Sequence, residues 1–268
     1  LSLHDALPIY IDQVTLEWLK ESLNFPEFVA VRSSAVEEDG ANFSFAGQFT
    51  SELLVTWGDI DTAIKKEWDS KSNSQIATYC AEHKIPEPNN LAIIIQAMVE
   101  SEVSGVAFGI NPLTGNRNEV VISSLFGLGE GLVGGELNAD TYLVGDGITT
   151  QKIAQKSESF VFNTLGAGTQ RIPLPSIQQS QSSLNEQQIA EVAKVVQDLG
   201  KTLGKAQDIE FAYNGGQLFV LQTRPITGLY RLANPMGERI LWDNSNIIES
   251  YPGVTTPLDR KSTRLNSS

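Results

Sequence analysis

Residues 207–227 read QDIEFAYNGGQLFVLQTRPIT, two apolar-rich runs around Asn214-Gly215-Gly216. Alternation in the first run puts Ile209, Phe211 and Tyr213 on one face of a strand and Asp208, Glu210 and Ala212 on the other. Residues 208–213 and 217–224 therefore predict an antiparallel hairpin. With Asn214-Gly215-Gly216 as a three-residue loop, Tyr213 pairs with Gln217 and Glu210 faces Val220. Gln222 is then the diagonal neighbour of Glu210, about 7–8 Å away on the same face. Two oxygen-bearing side chains at that separation suit hard cations such as Mg²⁺, which takes one or two carboxylates plus phosphate oxygens and water. Arg224 shares the face and can neutralise phosphate charge. A two-residue loop would flip the parity and separate the group. From pattern alone, a surface hairpin whose Glu, Gln and Arg face solvent fits as well.

Upstream, Ser183-Leu184-Asn185-Glu186 has the capping-box pattern, and Ile189, Val192, Ala193, Val196, Leu199 and Leu203 follow at helical spacing. Residues 166–183 are rich in Gly, Gln, Ser and Pro and read as an exposed loop. Three β-rich runs, 91–99, 103–110 and 119–126, precede them, with a turn at Asn111-Pro112-Leu113-Thr114-Gly115. Residues 59–83 predict one or two helices, 12–23 a short one, and 28–33 and 49–55 two strands. Residues 34–48 read as a polar loop. Helices and strands mix without β-α-β-α alternation, which disfavours a doubly wound parallel sheet.

The chain has 268 residues, enough for one large domain or two modest ones. Its net charge of −13 disfavours a nucleic-acid groove, which needs a concentrated basic patch. The single cysteine, Cys80, excludes an internal disulfide framework and fits a reducing, cytoplasmic setting. No apolar run approaches the roughly 20 residues of a membrane span. The opening LSLHDALPI (1–9) and the abruptly basic close DRKSTRLNSS (259–268) resemble translated sequencing-adapter read-through. Both are expected to be non-native flanks, and the missing initiator Met suggests a fragment.

Three separated segments resemble the N-terminal nucleotide-binding region of the phosphoenolpyruvate synthase and pyruvate phosphate dikinase family. They are VAVRSSAVEEDGANFSFAGQF (29–49), IIIQAMVESEVSGVAF (93–108) with FGLGEGLVGGELNAD (126–140), and the hairpin itself. The resemblance spans roughly residues 28–228 and implies an α+β, ATP-grasp fold, in which two mixed subdomains with antiparallel-rich sheets clamp ATP. It implies a truncated N-terminal part over 10–90, a C-terminal subdomain over 91–228, and a linker over 229–258 toward a missing phosphohistidine domain.

The resemblance also implies roles. Glu210 and Gln222 match the family's Mg²⁺ pair, and Arg32 and Arg224 its phosphate-contacting arginines. Ser44, Phe45, Ala46, Gly47 and Gln48 match the loop that closes over the phosphates. Gln96, Ala97, Met98 and Val99 match the hinge strand along which adenine lies, although a buried strand explains them nearly as well. Glu130 lies in the Gly-rich run near the cleft, where a turn explains it equally well. Gly129 to Gly134 fits G-x-G-x-x-G, but no amphipathic helix follows, so the dinucleotide reading is rejected. Gly200-Lys201-Thr202 fails as a phosphate loop because Val195 stands where the first Gly is required. His4 and His83 match no phosphohistidine motif.

The implied function is the ATP-binding part of a pyruvate, water dikinase-like phosphotransferase. It uses Mg²⁺ and ATP, passes phosphate to a histidine on a missing domain, and has no nucleic-acid or membrane partner. A rifampin-type antibiotic phosphotransferase and a non-catalytic nucleotide-binding module are the alternatives, and the fragment alone is expected to lack turnover.

Overall fold

The computed structural model describes residues 11–35, 51–70, 91–163 and 168–226. The expected phosphate-covering loop, both histidines, Cys80, the linker and both expected flanks lie outside the described residues.

A six-stranded antiparallel sheet has the order β11-β10-β4-β5-β6-β7. Its strands are β4 (Val103–Phe108), β5 (Glu119–Phe126), β6 (Asp140–Gly145), β7 (Ile148–Lys152), β10 (Gln207–Asn214) and β11 (Gln217–Pro225). Helix α4 (Glu186–Leu203) covers one face with Ile189, Val192, Ala193 and Val196, the i, i+3, i+4, i+7 stripe of an amphipathic helix. That stripe packs on Val120, Ile122, Tyr142, Ile209, Phe211 and Tyr213. On the other face, Val106, Phe108, Val121 and Leu125 meet Leu132 and Leu137. Covering both faces explains why β4 is buried along its whole length even though it is antiparallel.

A smaller antiparallel sheet has the order β2-β1-β3, from β1 (Val29–Ala35), β2 (Ser51–Val55) and β3 (Leu91–Ala97). Alternation in β1 sends Val29 and Val31 into a core with helix α2 (Ile60–Asp69), through Ile60, Ala63 and Ile64. Ala30 and Arg32 consequently face the opposite way, toward the large sheet. Residues 91–97 pair along their whole length with β1, so the division between the sheets falls after Ala97, not before Leu91. The fold is α+β with antiparallel sheets.

Helix α1 (Gln13–Ser22) starts where expected, and Asp12 accepts the Thr15 N–H at 2.9 Å as its N-cap. Of its apolar residues, Leu16, Leu19 and Leu23 are half-buried but Val14 is exposed.

Two expectations are corrected. The run expected to be a loop over 166–183 contains β9 (Thr169–Pro173), which pairs with β8 (Glu158–Phe162), and a 3₁₀ turn at Gln178–Ser180. This hairpin docks by tertiary contact: Gly127 bridges to Phe160, and the Phe160 ring lies close against Gly131. The capping box is formed by Asn185 and Gln188, not by Ser183 and Glu186. Ser183 is drawn away because its N–H and Oγ both donate to the buried Asp140 carboxylate at 2.8 Å. Asp140 also accepts from Ala154 N at 2.9 Å and from Lys156 Nζ at 2.5 Å, and Lys156 is itself 2% exposed. Each carboxylate oxygen is satisfied, which makes this buried charge pair tolerable.

Candidate nucleotide and metal site

The hairpin decides the site, and its register differs from expectation in two ways. The loop is Gly215-Gly216, with φ of +56° and +76°, so Asn214 pairs with Gln217. Both residues need positive φ in this tight turn, which glycine adopts without a Cβ clash. Parity is then restored by an irregularity between Glu210 and Phe211. Phe211 pairs with Val220 but Glu210 with Gln222, leaving Leu221 as the extra residue of a β-bulge. Glu210 and Gln222 are direct cross-strand partners, closer than the expected diagonal.

Arg32 reaches this pair from the small sheet. Its Nη2 donates to Gln222 Oε1 and lies 3.7 Å from Glu210 Oε2. Three side chains distant in sequence thus meet where the two sheets face each other. Arg224 stands two pairs further along: its Nε donates to Asp208 Oδ1 at 3.1 Å and Oδ2 at 2.9 Å. Asp208 pairs with Arg224 in the ladder and was not among the expected site residues, although alternation had placed it on the same face.

A cavity of about 430 Å³ opens between the sheets. Arg32, Gln96, Ala97, Met98, Val99, Glu130 and Glu210 all line it, whereas Gln222 and Arg224 line a small adjoining recess with Glu210 and Asp208. Leu53, Leu132, Val133, Met98 and Val99 give it apolar wall suited to a flat ring. Part of the expected hinge backbone is already committed. Met98 N–H donates to Phe28 O at 3.1 Å, and Val99 O accepts from Ser101 Oγ at 3.1 Å. Glu130 begins the one-turn helix α3 (Glu130–Val133) inside the Gly-rich run and accepts from Thr169 Oγ1 at 2.6 Å. Glu136, another lining residue missed in the sequence, is ion-paired to Arg171. No signal short of the β8–β9 docking announces it.

The Gly-rich run joins β5 and β6, which are antiparallel neighbours, a connection that a dinucleotide-binding β-α-β unit excludes. Lys201 and Thr202 lie on α4.

The cavity wall carries three carboxylates, Glu130, Glu136 and Glu210, against one guanidinium, Arg32, among the described residues. A polyphosphate placed there requires additional positive charge. The hard oxygens of Glu210 and Gln222, side by side, are a donor set that fits Mg²⁺. No cluster of three or more His, Cys, Asp or Glu occurs among the described residues, so such an ion would complete its shell with phosphate and water. None of their helices is long and apolar enough to cross a membrane.

Comparison with known proteins identifies a family for the chain. The family described as "Pyruvate phosphate dikinase, AMP/ATP-binding domain" matches residues 4–238. A probable phosphoenolpyruvate synthase of Pyrococcus horikoshii is 39% identical over 215 residues, 75% of this chain and 26% of that protein. A rifampicin phosphotransferase of Bacillus cereus is 35% identical over 203 residues, 75% of this chain and 23% of that protein. The prodigiosin synthesizing transferase PigC of Serratia marcescens is 31% identical over 245 residues, 86% of this chain and 27% of that protein. The chain therefore spans about a quarter of the length of these relatives. By the extent of the family match, this chain belongs to the pyruvate phosphate dikinase AMP/ATP-binding domain family.

Proposed function

We propose that the chain is the Mg²⁺·ATP-binding part of an ATP-grasp phosphotransferase of the pyruvate, water dikinase type. The observation that carries this reading is the meeting of Arg32 from one sheet with Glu210 and Gln222 from the other at the edge of the cavity. Phosphoryl transfer depends largely on positioning and on neutralising charge, and these residues supply both. Adenine lies along Gln96 to Val99 against Met98 and Leu132. The triphosphate runs toward Arg32, with Arg224 held behind Glu210 by Asp208, and residues 44–48 close over it. Glu210 and Gln222 would hold Mg²⁺, which when bound offsets phosphate charge. Glu130 marks the cavity rim.

In the whole protein, phosphate passes from ATP to a histidine on a further domain beyond the linker at 229–258, and from there to pyruvate. The reading places that enzyme in the cytoplasm. Identity to rifampicin phosphotransferases supports a second reading in which the same ATP module serves an antibiotic acceptor. Calorimetric titration of the chain with ATP, with and without Mg²⁺, tests the proposal. Metal-dependent binding is expected, and metal-independent binding would favour a non-catalytic module. Pyruvate-dependent AMP formation by the chain alone is expected to be absent.

A further inference from the structure

The hairpin places Gln222 opposite Glu210 only because of the bulge at Leu221. The pairing set by the Gly215-Gly216 turn, continued without it, would put Leu221 opposite Glu210 and Gln222 opposite Ile209. Directly opposed residues share a face, so Gln222 would then point with Ile209 toward α4, away from the cavity. What fixes the bulge is therefore what fixes the oxygen pair.

Leu221 is left without a partner residue in the ladder with β10, and its carbonyl accepts from Gln96 Nε2 at 3.2 Å. Gln96 sits on β3, in the other sheet. It pairs with Ala30 and shares the cavity-facing side of that sheet with Arg32. Arg32 in turn donates to Gln222, the next residue of β11. Two side chains of the small sheet thus grip two consecutive residues of the large one, Gln96 at the main chain and Arg32 at the side chain.

We propose that Gln96 is a positioning residue for the metal and phosphate end of the site: through the Leu221 carbonyl it holds the bulge that keeps Gln222 facing Glu210. This assigns the Gln96 side chain a task separate from contact with a base, and it rests on the Mg²⁺·ATP reading above.

Gln96→Met, similar in length but without a donor, and Gln96→Lys, which can donate to Leu221 O, are compared with the wild-type 268-residue chain. Hydrogen exchange is measured without ligand, and ATP affinity with and without Mg²⁺. In Gln96→Met, exchange across 221–223 is expected to speed up about fivefold or more, as loss of one hydrogen bond allows, with β4 and β5 unchanged. The gain in ATP affinity on adding Mg²⁺, taken as the ratio of the two affinities of the same variant, is expected to shrink by a similar factor. Gln96→Lys is expected to restore protection over 221–223. Unchanged exchange in Gln96→Met, or equal loss of ATP affinity with and without Mg²⁺, overturns the proposal. If the wild-type chain binds no ATP, the Mg²⁺·ATP reading fails and the exchange comparison alone decides the role of Gln96. If Gln96→Met does not fold, Gln96→Asn, which keeps the amide but is one methylene too short, takes its place with the same expected split.

Discussion

Replacing Arg32 with Met is expected to tighten the binding of a bare divalent cation while weakening the binding of ATP. The reason lies in what Arg32 touches. Its guanidinium donates to Gln222 Oε1 and stands 3.7 Å from Glu210 Oε2, the two oxygens assigned to the metal. A cation that takes the Gln222 oxygen must first displace this hydrogen bond. Bonds from charged donors are worth about 1.5–3 kcal/mol. The Arg32 and Glu210 side chains are 23% and 25% exposed, so screening favours the lower end. About 1.5 kcal/mol corresponds to roughly a tenfold gain in cation affinity for the variant. ATP loses a phosphate partner at the same time. Mn²⁺ titration followed by electron paramagnetic resonance, first without nucleotide and then with ATP, separates the two effects. Equal or weaker Mn²⁺ binding by Arg32→Met in the absence of ATP would refute the reasoning.

Other outcomes follow from the packing. Lys156→Met leaves the Asp140 carboxylate buried without its cation and is expected to cost about 3–5 kcal/mol, read by urea denaturation. The double variant Asp140→Asn/Lys156→Met should lose less than the two single losses added together, and strict additivity would contradict the pairing. Gly216→Val forces a β-branched residue to φ +76° and should cost about 1–2 kcal/mol, since left-handed backbone is disfavoured for residues with a Cβ. Burial, and then the Glu191 carboxylate that accepts its proton, push the Tyr213 hydroxyl well above its usual range. The folded state therefore holds that proton more tightly than the unfolded state. Its contribution to stability is present below the free tyrosine value of about 10 and is lost as pH rises above it. Tyr213→Phe should flatten this alkaline loss in denaturation curves taken from pH 8 to 11.

Much of this architecture is legible in the sequence because it rests on period. Alternation alone puts Ile209, Phe211 and Tyr213 against α4 and Glu210 on the cavity side. The same rule in β1 turns Arg32 out of the small core. The hairpin is more instructive. A three-residue loop without a bulge and a two-residue loop with one place Gln222 on the same face, so the expected face is right although the expected register is not. A bulge has no local sequence mark here, because Leu221 is held by Gln96, 125 residues away. Ser183 likewise looks like a helix cap until Asp140 claims it from across the sheet. The β8–β9 hairpin escapes composition for the same reason: β9 lies within a run rich in Gly, Gln, Ser and Pro, and its partner β8 docks through Phe160 against Gly127 and Gly131. What sequence periodicity cannot carry is contact between distant elements, and the site is made at such a contact.

The central claim is that Glu210 presents an oxygen through which a metal ion promotes ATP binding. Calorimetry with ATP on the wild-type chain and on Glu210→Ala, each with and without Mg²⁺, tests it directly. The account predicts that Mg²⁺ strengthens ATP binding to the wild-type chain and that this enhancement disappears in Glu210→Ala. An equal Mg²⁺ enhancement in both proteins would contradict it.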